Sequence, residues 1–152
     1  MSRSSSPPSP ASPHLAAALA GEEIKPARLL EAAQVAAGRA DALVCEGVGG
    51  LLVPLSPGYL VRDLAADLGY PLVVVASPGL GTINHTLLTL ESARAGGLEV
   101  TVVVLTPWPE EPSEIESSNR DTIAALGEVE VQTLRQLDLA TPSTWPELSW
   151  QR

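Results

Sequence analysis

Short, unbroken apolar runs separated by helix-like segments constrain this chain more than any other feature. Leu72-Val73-Val74-Val75-Ala76 and Val100-Thr101-Val102-Val103-Val104-Leu105 are apolar at nearly every position, and Ala42-Leu43-Val44-Cys45 is a shorter run of the same kind. Strands without alternation are covered on both faces, which is the condition of a parallel sheet. The segments between them predict helices: Pro26 to about Ala37 with Gly38 as its stop, Val61–Leu68 ending at Gly69, and Thr82 or Ile83 to Gly96-Gly97. A further helix is expected over about Glu114–Leu126, closed by Gly127, before a fourth strand at Val129–Leu134. Pro26 suits a first helical position, and the glycines suit helix ends. Strands alternating with helices in this order predict an α/β sheet joined by right-handed crossovers.

The ends differ in composition. Residues 1–13 are rich in Ser and Pro and are expected to be disordered. Residues 14–138 are expected to form the α/β domain, with a helical turn at His14–Ala20. Residues 139–152, carrying Pro142, Trp145, Pro146 and Trp150, read as an irregular tail whose tryptophans dock it. Pro107-Trp108-Pro109 is expected to force an irregular loop after the third strand.

Composition excludes some partners. The formal net charge is −9, with nine Lys plus Arg against eighteen Asp plus Glu. Phosphate backbones demand a basic face, so nucleic acid is excluded. No apolar run approaches the ~20 residues a membrane helix needs. Cys45 is the only cysteine, so no internal disulfide forms, and a reducing, cytoplasmic setting is the simplest expectation.

Ligands of open parallel sheets gather where the strands end. Three loops are expected at that edge: Glu46 to Pro54, Ser77 to Thr82 and Thr106 to Pro112. Glu46 closes the run Ala42–Cys45 and opens into Gly47-Val48-Gly49-Gly50. A carboxylate there is either a solvent-facing strand end or a magnesium ligand, because magnesium takes one or two carboxylates with phosphate and water. The second loop, Ser77-Pro78-Gly79-Leu80-Gly81, feeds a helix start capped by Gly81 or Thr82, where free amides favour an anion. Cys45 is expected to be a small core residue. Trp108 either stacks on a ligand ring or anchors its loop.

In combination, order and spacing, several segments resemble the dethiobiotin synthetase family. They are Ser12-Pro13-His14-Leu15-Ala16, Glu46-Gly47-Val48-Gly49-Gly50-Leu51-Leu52-Val53-Pro54-Leu55, Leu80-Gly81-Thr82-Ile83-Asn84-His85-Thr86-Leu87-Leu88-Thr89 and Ser118-Asn119-Arg120. The resemblance covers most of this chain and the later part of the family's. It implies a three-layer parallel sheet of the P-loop NTPase type, here incomplete. It also implies ATP and magnesium as co-substrate and cofactor, with 7,8-diaminononanoate and carbon dioxide as substrates. In that family a carbamate oxygen attacks the γ-phosphate of ATP, and the mixed anhydride closes to a cyclic urea.

By match, Glu46 would hold magnesium. Glu46, Gly47, Val48 and Gly49, with Thr106 and Pro107, would line the nucleotide. Gly81, Thr82, Ile83 and Asn84 would receive the substrate's carboxylate across a two-fold homodimer. Thr106 stands where many members carry an adenine-reading Asn, and a hydroxyl lacks an amide's paired donor and acceptor. The family's Gly-x-x-x-x-Gly-Lys-Ser/Thr loop does not occur in this sequence. Lys25-Pro26 lies after the Ser-Pro-His segment and does not replace the family's second lysine.

Three outcomes are consistent with these features. The chain is the later portion of such an enzyme and inactive alone, or it is one half of a split enzyme whose partner chain carries the P-loop. As a third, non-catalytic alternative, it is a dimer-forming or substrate-binding module.

Overall fold

A computed structural model describes residues 11–146. They fall into two compact units divided between Leu68 and Gly69.

The first unit opens with α1 (Pro13–Ala20) and α2 (Pro26–Ala37), each with proline at its start. Neither helix buries a residue. α1 begins one residue earlier than expected, while the expectation for residues 1–10 lies outside the described residues. Next come a two-stranded antiparallel ribbon, β1 (Pro54–Ser56) and β2 (Tyr59–Leu60), and then α3 (Val61–Leu68). The ribbon turns at Pro57-Gly58, with Gly58 at φ 75°. Proline followed by a positive-φ glycine is the signature of a type II turn. Asp63, in the first turn of α3, accepts from the Leu60 amide at 2.7 Å and so caps the helix. Tyr59 donates to Asp67 at 2.6 Å.

The run Ala42–Cys45 corrects an expectation. It belongs to no strand, and Ala42, Val44 and Cys45 are exposed. Its composition is that of a strand, but a strand exists only with a neighbour to bond to. Among the described residues none pairs with it. Cys45 is therefore not a core residue here.

The second unit is the α/β layer. β3 (Leu72–Ala76), β4 (Val100–Trp108) and β5 (Val131–Arg135) form a parallel sheet in the order β3-β4-β5. The crossovers are α4 (Thr82–Ala95) and α5 (Glu114–Gly127), which pack on each other. Val74, Val103, Leu105 and Trp108 from the strands meet Leu90 of α4 and Ile123 of α5 in one core. β4 lies between both neighbours, and Val102 to Leu105 are buried on both of its faces. β3 is an edge, and Val73 and Val75, which alternate with Val74, remain 39% and 64% exposed.

Several boundaries differ from the sequence reading, among them that of β5, which is Val131–Arg135 and not Val129–Leu134. β4 continues through Pro107 to Trp108, because the pairing with β5 shifts between Leu105 and Trp108 and no ladder bond is asked of the proline. The Thr106–Pro107 peptide is cis. Helix α5 includes Gly127, and the left-handed cap falls on Glu128 at φ 46°. Space is the constraint at Gly127 instead, since a Cβ there would lie 2.7 Å from Leu90 Cδ1 and that methyl would have to shift. The residues after β5 are also ordered further than expected, into a 3-10 turn at Pro142–Thr144. Asp138 accepts from the Ala140 amide and the Thr141 hydroxyl, each at 2.9 Å, and those bonds hold its carboxyl below the usual range. Trp145 Nε1 donates to the Asp138 carbonyl at 2.8 Å, a bond local to this segment, and the indole stays partly exposed, while Trp150 lies outside the described residues.

Candidate functional site

The turn between β3 and α4 is the best-formed candidate. β3 ends at Ala76, in register with Leu105 of β4, so the residues after both strands share one edge of the sheet. Gly81 is the N-cap of α4 and takes φ 89°, a conformation that favours glycine. The Thr82 amide bonds back to the Gly79 carbonyl, and the His85 amide to that of Gly81, both at 3.2 Å. Between them, the amides of Ile83 and Asn84 find no acceptor among the described residues. Two unpaired amides at the positive end of a helix dipole are suited to a carboxylate or phosphate. Asn84 and His85 are exposed beside them. The Thr82 side chain is buried against Thr86, with 3.4 Å between hydroxyls, so its contribution to the mouth is through the backbone.

A residue without an assigned role in the sequence completes this turn. Asn119 of α5 is 8% exposed, and its Nδ2 donates to the carbonyls of Pro78 at 2.9 Å and Gly79 at 3.2 Å. It lies in the Ser118-Asn119-Arg120 motif, but only the tertiary contact reveals its target. The helix that places it begins with a full capping box: Ser113 accepts from Ile115 at 3.2 Å, and Glu116 accepts from the Ser113 amide at 2.8 Å and from its hydroxyl. These bonds hold the Glu116 carboxyl below its ordinary range.

At the end of β4, Thr106 is half-buried and Pro107 exposed, whereas Trp108 is buried in the core cluster. Arg120 lies over the indole, 5.8 Å from its centroid, and also pairs with Asp121 at 2.8 Å. Trp108 is thus an anchor, and its ring is committed to protein contacts rather than left free for a ligand. An open groove of about 620 Å³ is lined by Arg120, Asp121, Ala124, Gln132, Thr133 and Pro146. None of the predicted site residues lines it.

The glycine loop belongs to the first unit. Gly47 passes so close to α3 that a Cβ would lie 2.8 Å from Val61 Cγ1. Gly49 and Gly50 take φ 79° and 111°. The first amides of α3 are already used by this loop: Val61 donates to Val53 at 3.0 Å and Arg62 to Leu51 at 2.8 Å. Glu46 and Val48 are exposed. In place of the expected buried strand, Glu46 follows a segment that is not in a strand and is mostly exposed. Among the described residues no three His, Cys, Asp or Glu side chains converge on a metal position. A lone exposed carboxylate does not fit a resident ion, but it fits one ligand of a magnesium ion that arrives with phosphate and water.

A family model described as an AAA domain, AAA_26, matches residues 7–137. The chain belongs to that family. Its curated relatives are named ATP-dependent dethiobiotin synthetase BioD. The protein from Anaeromyxobacter dehalogenans is 52% identical over 96 residues, 63% of this chain and 43% of the relative. Those from Chlorobaculum tepidum and Mycolicibacterium vanbaalenii are 43% and 40% identical over 116 and 124 residues, 76% and 80% of this chain and 48% and 55% of theirs. The resemblance carried by Glu46–Leu55, Leu80–Thr89 and Ser118–Arg120 is borne out. The chain spans about half the length of these relatives. No helix among the described residues is long and apolar enough to cross a membrane.

Proposed function

We propose that this chain supplies the substrate-tail side of an ATP-dependent dethiobiotin synthetase site. The observation that carries the reading is the start of α4, where left-handed Gly81 leaves the Ile83 and Asn84 amides without acceptors. The relatives' printed activity supplies the chemical class. A diamino acid such as 7,8-diaminononanoate has a carboxylate at one end and its amines at the other. Holding the carboxylate at Gly81–Asn84 fixes the tail and leaves the amines to react with carbon dioxide and a phosphoryl group from ATP. Orientation of this kind lowers the entropic part of the barrier.

Glu46 would hold magnesium, which neutralises charge on the transferring phosphate. Gly47, Val48 and Gly49, with Thr106 and Pro107, would line the nucleotide. The working form is a cytoplasmic homodimer in which the phosphates are held by a P-loop absent from these 152 residues. A separate chain carrying that loop is one source of it.

Two measurements test the reading. Titration of the purified chain with 7,8-diaminononanoate, followed by amide NMR, is expected to shift Gly79–His85. Dethiobiotin formation from ATP is expected only when a polypeptide bearing a P-loop is added. Turnover by the chain alone would refute the half-site assignment, and absence of binding would refute the tail pocket.

A further inference from the structure

We propose that Asn119 is a positioning residue of the substrate-tail pocket, holding the turn before α4 in its anion-ready form; this rests on the reading of Gly81–Asn84 given above. Asn119 belongs to neither the turn nor α4, and it sits forty or more residues further along the chain. Its two N–H donors are matched by two carbonyls, Pro78 at 2.9 Å and Gly79 at 3.2 Å. The Gly79 carbonyl also accepts the Thr82 amide at 3.2 Å. A continuous set of bonds therefore runs from the α5 side chain through Gly79 to the first turn of α4.

Apart from buried Pro78 and the Thr82–Gly79 bond, the turn has few restraints. It contains Gly79 and Gly81, and Leu80 between them is fully exposed. Glycines make such a segment costly to order. A buried carboxamide that satisfies two backbone carbonyls offsets that cost. It also engages oxygen lone pairs that would repel an incoming anion beside the free amides of Ile83 and Asn84. Loss of the side chain would leave the carbonyl of buried Pro78 without its partner and take one of two donors from that of Gly79, which is costly, so the turn would rearrange.

The test uses the full chain with Asn119→Ala and Asn119→Ser, the second keeping a single donor. Binding of 7,8-diaminononanoate is followed by calorimetry, and amide exchange is read residue by residue. Asn119→Ala is expected to weaken binding about tenfold or more, the scale of one lost buried hydrogen bond. Exchange should quicken at Thr82 and His85, whose amides are bonded to the Gly79 and Gly81 carbonyls, while the Val103 amide, bonded to the Glu130 carbonyl, stays protected. Asn119→Ser should fall between wild type and Asn119→Ala. If Asn119→Ala does not fold, Asn119→Ser decides by the same criteria. Wild-type affinity in the variants, or exchange that quickens equally at Val103, would overturn the proposal. Wild-type protein that binds no diaminononanoate would instead overturn the tail pocket itself, and the role of Asn119 with it.

Discussion

The two units use similar residues to different effect. In the second, Val102, Val103, Leu105 and Ile123 are fully buried around a central strand. In the first, Leu19 and Val44 are 78% and 90% exposed, and α1 and α2 bury nothing. Hydropathy does not separate these positions. What separates them is whether a neighbouring strand satisfies the backbone and a helix covers the face. An apolar residue becomes core only where the polar chain carrying it is already paired.

The largest expected effect follows from that contrast. Leu105→Ala, in the middle of the sheet core, should cost about 2–5 kcal/mol in urea unfolding. Leu19→Ala, on an exposed turn of α1, should stay within about 0.5 kcal/mol. Equal losses at the two positions would break the comparison. Gly127→Ala should fall between them. Overpacking against Leu90 costs about 1–3 kcal/mol, offset by roughly 0.5–1 kcal/mol of gained helix propensity. A stabilised variant would show that the α4–α5 contact is loose.

A further effect belongs to the first unit and is read by pH. Burial, then the hydrogen bond and charge of Asp67 and the charge of Asp63, push the Tyr59 phenol up to about 12. The native state therefore holds this proton more tightly than the unfolded chain does. Its contribution to stability is intact below pH 10 and is lost as pH rises towards 12. Absorbance at 295 nm should show a late phenolate step that Tyr59→Phe removes. Titration of Tyr59 at 10 would show that the ribbon and α3 are not held together as described.

Much of the architecture was legible because its punctuation is chemical. Pro26, Gly38, Gly69, Gly81 and Gly96 mark helix ends that the structure reproduces within a residue or two. Ser56-Pro57-Gly58-Tyr59 carries the turn signal of the β1–β2 ribbon, but its strands are too short to show alternation. Ala42–Cys45 has the composition of a strand and is not one, because strand formation depends on a partner that the segment does not encode. The role of Trp108 is not legible in the sequence because proline on both sides disguises a strand that bulges past one of them. At the site, Gly81 to Asn84 were legible from loop-to-helix chemistry. Asn119 was visible as part of a motif, but its partners are distant in sequence and only the packing of α5 names them.

Gly127 carries one more consequence. The room its missing side chain leaves is taken by a methyl of Leu90 and bordered by Val129 and Leu87. Positions 90 and 127 thus draw on a single shared volume. Over descent they should change as a couple, bulk added at one compensated by bulk surrendered at the other, so Leu90→Val is the natural companion for any enlargement at 127.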